Sequence, residues 1–94
     1  MRNIAFERNA FEQFNRWASE DKKIYDRISD LIEDALRDPF SGIGKPEPLK
    51  YNLAGYWSRR ITSEHRLVYR VTDDAIVIVG CKYHYSRQSW IPQE

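Results

Sequence analysis

Cysteine is nearly absent from this 94-residue chain, where Cys81 stands alone. One thiol closes no internal disulfide, and it has no neighbours at zinc-ligand spacing, so Cys81 reads as a small buried hydrophobe in a reducing compartment. Gly and Pro are sparse, four of each, too few for a low-complexity linker. No apolar run is long enough to cross a bilayer, and the N-terminus MRNIAFERNAFEQF lacks a signal-peptide core. A cytoplasmic protein without membrane contact is expected. Also missing are a metal-ligand cluster and a Gly-rich nucleotide loop, so no metal site and no cofactor are expected.

What remains is a globular composition, 41% hydrophobic and 31% charged, long enough for one domain with one modest core. The 15 Lys and Arg nearly balance the 14 Asp and Glu, but not evenly along the chain. Residues 1–40 carry 7 basic and 9 acidic side chains, and residues 41–94 carry 8 basic and 5 acidic. The second half therefore offers a local cationic patch suited to phosphate or to an acidic partner.

Hydrophobic spacing predicts an α+β fold. Residues 3–7 (NIAFE) form a short strand, and Asn9 with Glu12 resembles a capping box that opens a helix carrying Phe11, Phe14, Trp17 and Ala18 on one face. After SEDKK, Ile24, Ile28, Leu31, Ile32, Ala35 and Leu36 repeat at helical spacing until Asp38-Pro39 stops the second helix. The period then changes to two in GYWSRRIT, HRLVYRVT and AIVIVGCKYHY, with Asp73-Asp74 at a tight turn. The expected architecture is two N-terminal helices packed on a twisted, mostly antiparallel four-stranded sheet.

Alternation places Leu67, Tyr69 and Val71 opposite Arg66, Val68 and Arg70. In the last strand it places Val77, Val79, Cys81 and Tyr83 opposite Ile76, Ile78, Gly80, Lys82 and His84. Packing the first set of each strand on the helices leaves Arg66, Arg70, Lys82 and His84 on a concave, cationic open face.

Several residues could do chemistry there. Glu47 sits between Pro46 and Pro48, which restrict where its carboxylate points, as a general base requires; the plainer reading is a loop glutamate paired with Lys45 or Lys50. Arg59, Arg60 and Arg66 can grip a phosphate through bidentate hydrogen bonds, or be solvated surface. Alternation sends Arg59 and Arg60 to opposite faces, so at most one shares the face of Arg66. KYHY brings an imidazole, His84, and a phenol, Tyr85, either of which can protonate a leaving alkoxide. His65 has the wrong parity and should face away. A base, cations and an acid suffice to cleave RNA, whose 2′-hydroxyl is a built-in nucleophile; DNA lacks it.

The segments KPEPLKYNLAGYWSRRIT, EHRLVY and CKYHY together make the chain similar to the YoeB toxins of the RelE-like superfamily, ribosome-dependent mRNA interferases of type II toxin–antitoxin systems. The resemblance runs from Asn3 to Tyr85. It implies a RelE-like microbial-RNase fold, with Glu47 as general base, Arg66 as the phosphate-stabilising arginine, and His84 with Tyr85 as the C-terminal catalytic pair. Lys50 and Arg59 match cations that bind RNA or its scissile phosphate, and Arg60 and Lys82 join them as neighbouring cations. It further implies metal-independent cleavage of mRNA in the ribosomal A site and neutralisation by a YefM-like antitoxin of the Phd/YefM family. A homodimer is compatible with it, and operator DNA would be reached only through the antitoxin. Residues 1–85 would form the toxin domain, and residues 86–94 (SRQSWIPQE) an extension of unknown role. The alternative is a non-catalytic module that binds the antitoxin or RNA as a co-repressor.

Overall fold

The computed structural model describes residues 2–82. His84, Tyr85 and the extension after them, like Tyr83, lie outside the described residues. Strand β1 (Asn3–Phe6) alternates exposed and half-buried positions, turning Ile4 and Phe6 inward. Helix α1 (Arg8–Glu20) begins one residue after Glu7, whose side chain makes no cap. The expected capping box is absent, with Asn9 already inside the first turn. The reason is tertiary: the Glu7 N–H donates to the carbonyl of Ile78 at 2.9 Å, so sheet pairing holds Glu7 extended and fixes where the helix can start.

Helix α1 buries Ala10 and Trp17, with Phe14 packed at the edge of the core. Phe11 and Ala18, expected on the same face, are exposed. Asp21 ends α1 and opens helix α2 (Lys22–Arg37). Its N–H donates to the Trp17 carbonyl, while its carboxylate accepts from the N–H groups of Lys23 and Ile24. One residue thus satisfies orphan groups of both helices and turns the chain between them. Ile28, Leu31, Ile32 and Ala35 form the buried stripe of α2, and the helix stops at Arg37 before Asp38-Pro39, as the proline requires.

Four further strands follow: β2 (Glu47–Pro48), β3 (Tyr56–Arg60), β4 (Arg66–Val71) and β5 (Ala75–Gly80). The sheet has five strands in the order β1-β5-β4-β3-β2, parallel only between β1 and β5. The strand missing from the sequence reading is β2, whose two residues include Pro48. Proline is tolerated there because β2 is an edge. At the turn after β4, the Thr72 hydroxyl accepts from the N–H groups of Asp74 and Ala75, closing the expected hairpin.

The face assignment holds for β4 and fails for β5. Cross-strand partners share a face, and Tyr69 pairs with Ile78 and Val71 with Ile76, so Ile76 and Ile78 join Leu67 and Tyr69 under the helices. Val77 and Val79 face the other way. An irregularity in the β4–β5 register then places Gly80 opposite Val68 and returns Cys81 to the helix-side core. A bulge of this kind adds one residue and shifts the phase of everything after it. Nor is the opposite face fully open: Leu49 and Leu53 fold onto Val68 and Val79 as a second, smaller apolar cluster, with Tyr56 and Val77 packed beside it.

Candidate active site on the sheet face

The chain between α2 and β2 is organised by one guanidinium. Arg59 is 0% exposed, and its five N–H donors meet five acceptors. Nε donates to the Tyr69 hydroxyl at 2.9 Å. Nη1 donates to Asp34 Oδ2 at 2.6 Å and to the Ile43 carbonyl at 3.1 Å, and Nη2 to the carbonyls of Asp38 at 2.7 Å and Ser41 at 3.2 Å. The Tyr69 hydroxyl in turn donates a hydrogen bond to the Pro39 carbonyl at 2.7 Å. Residues 38–43 therefore wrap around Arg59. Hydrogen bonds from Arg59, then from the Ile43 N–H and Arg37, hold the Asp34 carboxyl down from 3.8 to about 2. Burial raises the pKa of Tyr69, although the hydrogen bond from Arg59 opposes the shift.

Gly44 closes this knot. Its φ is +80°, and an added Cβ would lie 2.7 Å from Leu31 Cδ2 and 3.1 Å from Arg59 Cβ. Its carbonyl accepts from the Arg60 N–H at 2.6 Å. The chain leaves this anchor through Lys45 and Pro46 and delivers Glu47 to the sheet edge. The rigidity expected of Glu47 from its prolines thus has a second source, the loop bound to Arg59.

Register decides what Glu47 meets. Glu47 pairs with Ser58 and Ser58 with Val68, while Arg60 pairs with Arg66. Directly opposed residues point to the same face, so Glu47, Ser58, Arg60 and Arg66 share one, in two rows about 7 Å apart by the rise of a strand. Glu47 and Arg60 are exposed and Arg66 is half-buried. Arg66 Nη1 donates to the Thr62 carbonyl at 3.1 Å, which steadies the guanidinium. Two cations in direct opposition repel unless an anion joins them. Beyond Glu47, residues 47–53 line a cavity of about 270 Å³ that also takes in Lys50 and Tyr51. Lys50 is exposed and opens a single 3-10 turn, Tyr51–Leu53.

A family described as "YoeB-like toxin of bacterial type II toxin-antitoxin system" matches residues 6–85. Toxin YoeB of Streptomyces coelicolor is 56% identical over 82 residues, covering 87% of this chain and 98% of its own. The chain belongs to this YoeB-like toxin family. Among solved structures, the YoeB dimer from Staphylococcus aureus superposes with a TM-score of 0.84 at 50% identity, covering 89% of this chain and 98% of that one. A chain of the YoeB–YefM complex from the same organism gives 0.82 at 49% identity, covering 90% and 99%.

Against the roles that the YoeB resemblance implies, the cations separate. Arg59, expected to bind RNA, is buried with every donor used, so it has none to offer a phosphate; it is the internal anchor of the Glu47 loop. Arg60 takes the exposed position facing Arg66. Lys82, expected on the open face, lies past the end of β5 with Nζ 5.6 Å from the ring centroid of Trp17 in α1. His65 does face away from Arg66, buried against Trp17 with ring centroids 4.9 Å apart.

Sequence reading missed three features. Ser58 is 1% exposed, and its Oγ has no hydrogen-bond partner among the described residues; strand parity places it beside Glu47, but no motif signals it. Asp34 is masked by its helix, where it reads as one more surface acid. The third is a clamp at the end of β5: Gln13 Oε1 accepts from the Cys81 N–H at 2.8 Å, and Trp17 Nε1 donates to the Cys81 carbonyl at 2.9 Å. Both backbone groups of the residue leading toward KYHY are thereby fixed to α1. Burial pushes the Cys81 thiol up to about 12, which leaves it inert, as a packing cysteine should be.

Proposed function

We propose that this chain is the toxin of a type II toxin–antitoxin pair and acts as an endoribonuclease on mRNA in the ribosomal A site. The observation that carries the reading is the direct opposition of Arg60 and Arg66 one row from Glu47. That arrangement suits an RNA phosphodiester: the anion bridges the two cations, and the carboxylate takes the 2′-proton. The 2′-oxygen then attacks phosphorus, the bond to the 5′-oxygen breaks, and a proton from His84 or Tyr85 neutralises the departing alkoxide. No metal ion is required by this scheme. The roles of His84 and Tyr85 rest on the family resemblance, and Lys50 serves as an RNA-binding cation at the cavity.

The complex formed by the Staphylococcus relative supports a YefM-like antitoxin as partner, and the dimer supports self-association. An acidic antitoxin segment that folds on binding would compete with RNA for the cationic face, and operator DNA would be contacted through the antitoxin. The family match ends at Tyr85, which supports residues 1–85 as the toxin domain and residues 86–94 as an extension. An enzyme acting on ribosome-bound mRNA would work in the cytoplasm. Among the described residues no helix is long and apolar enough to cross a membrane.

The test is cleavage of a defined mRNA, free and in programmed ribosomes, by the full chain and by Glu47→Ala, Arg60→Ala and Arg66→Ala. Ribosome-dependent cuts at the A-site codon, reduced about 10²- to 10⁴-fold when the base is removed, are expected. A folded chain that cuts neither substrate would instead be a non-catalytic antitoxin-binding or RNA-binding module.

A further inference from the structure

Tyr51 is the most exposed large hydrophobic residue among those described, at 87%, and its backbone has a φ of +59°. Bulky residues avoid that region, because Cβ crowds the backbone there. A ring that is neither buried nor conformationally at ease contributes little to the fold. The turn beneath it does contribute. The Leu53 N–H donates to the Lys50 carbonyl and the Ala54 N–H to the Tyr51 carbonyl, both at 3.0 Å, and Leu53 is buried in the smaller apolar cluster. A well-anchored turn therefore holds out an aromatic ring next to Lys50, at the cavity that Glu47 also lines.

Single exposed aromatics are ordinary on protein surfaces. This one differs by its setting: it adjoins a cation, it lines the same cavity as the candidate base, and it lies at the edge of the sheet that carries the opposed arginines. Single-stranded nucleic acid is bound by this combination, with cations following the phosphates and an aromatic face receiving a base. We infer that Tyr51 is a stacking platform for a nucleobase next to the scissile phosphate, holding the RNA strand so that its 2′-hydroxyl meets Glu47. The inference rests on the nuclease reading and adds to it a substrate-positioning residue outside the acid–base set.

The experiment compares cleavage in programmed ribosomes by the wild type, Tyr51→Asn, Tyr51→Phe and Tyr51→Trp. Asparagine tolerates a positive φ, so Tyr51→Asn removes the ring while leaving the turn intact, and a thermal melt verifies this. Each protein is also assayed on mRNAs bearing one abasic nucleotide at successive positions around the cut. Tyr51→Asn is expected to lose roughly 5- to 100-fold in kcat/KM, mostly through KM, while the aromatic variants stay near wild type. At one position the abasic penalty seen with wild type should vanish in Tyr51→Asn, a coupling that a merely structural role would not produce. A folded Tyr51→Asn with unchanged kcat/KM sinks the platform and leaves the nuclease reading intact. So does an abasic penalty equal in both proteins, or a loss in Tyr51→Phe as large as in Tyr51→Asn, which would assign the effect to the hydroxyl. A folded wild type that cuts nothing removes the nuclease reading and the platform with it.

Discussion

A guanidinium taken out of water must have its donors met, and Arg59 meets all five with groups from α2, the following loop and Tyr69. Lysine could replace the charge but not the planar fork, since it brings three donors from a single point. Arg59→Met should therefore destabilise by about 3 kcal/mol in urea unfolding, at the low end for a broken buried pair because the Asp34 side chain keeps 17% exposure; Arg59→Lys should recover only part of that. Arg60→Met, one residue on and exposed, should change stability by less than about 0.5 kcal/mol yet impair RNA cleavage. If the two variants unfolded alike, the separation of anchor from site would be wrong. The same pair sets an acid limit. Asp34 titrates near 2 when folded instead of at 3.8, so between those values the unfolded chain binds more protons and stability rises with pH. This contribution is complete above about pH 4 and is lost as pH falls through about 2. Urea melts from pH 5 to pH 2 should show a shallower acid limb for Asp34→Asn. Some slope should persist because Asp38 is also depressed, chiefly by its hydrogen bonds from the Phe40 N–H and the Ser41 hydroxyl.

At the scale of elements, the two short glycine-containing connections differ in a way that a melt can read. Gly44 and Gly55 both have positive φ, but an added Cβ at Gly55 meets nothing within 4 Å. Gly55→Ala should cost about 1 kcal/mol from backbone strain alone, whereas Gly44→Ala must also push Leu31 or Arg59 aside and should cost clearly more. Equal losses would mean that the loop does not close on Arg59. The elements themselves differed in legibility for physical reasons. The stripe of α2 and the strand β4 each obey one period along their whole length, so spacing alone identifies Ile28, Leu31, Leu67 and Tyr69 as core. Where tertiary pairing overrides local preference, the pattern misleads: the Glu7–Ile78 bond moves the start of α1, and pairing with Val71 and Tyr69 turns Ile76 and Ile78, not Val77 and Val79, under the helices. The strand β2 is too short to show any period, and its proline argues against a strand in every position except an edge.

Over the whole molecule, charge matters by placement, because a net +1 gives no long-range pull on RNA. Alternation alone separated Arg59 from Arg60, but only the register shows Arg60 opposed to Arg66 and Glu47 in the neighbouring row. That map can be tested by salt. Binding of a short single-stranded RNA by the Glu47→Ala protein, which cannot turn it over if the base assignment holds, should weaken as salt rises. The logarithmic slope should be about −0.7 per phosphate neutralised. Arg60→Met and Arg66→Met, each added to Glu47→Ala, should make that slope shallower by up to about 0.7. Arg70→Met is the control on the same strand face. It pairs with Tyr56 and Val77, on the far side of the Glu47 row from the arginine pair, and should leave the slope unchanged. If all three substitutions changed the slope equally, the RNA would be held by the face as a whole; if only Arg60 and Arg66 matter, one phosphate is gripped where the two strands oppose their cations.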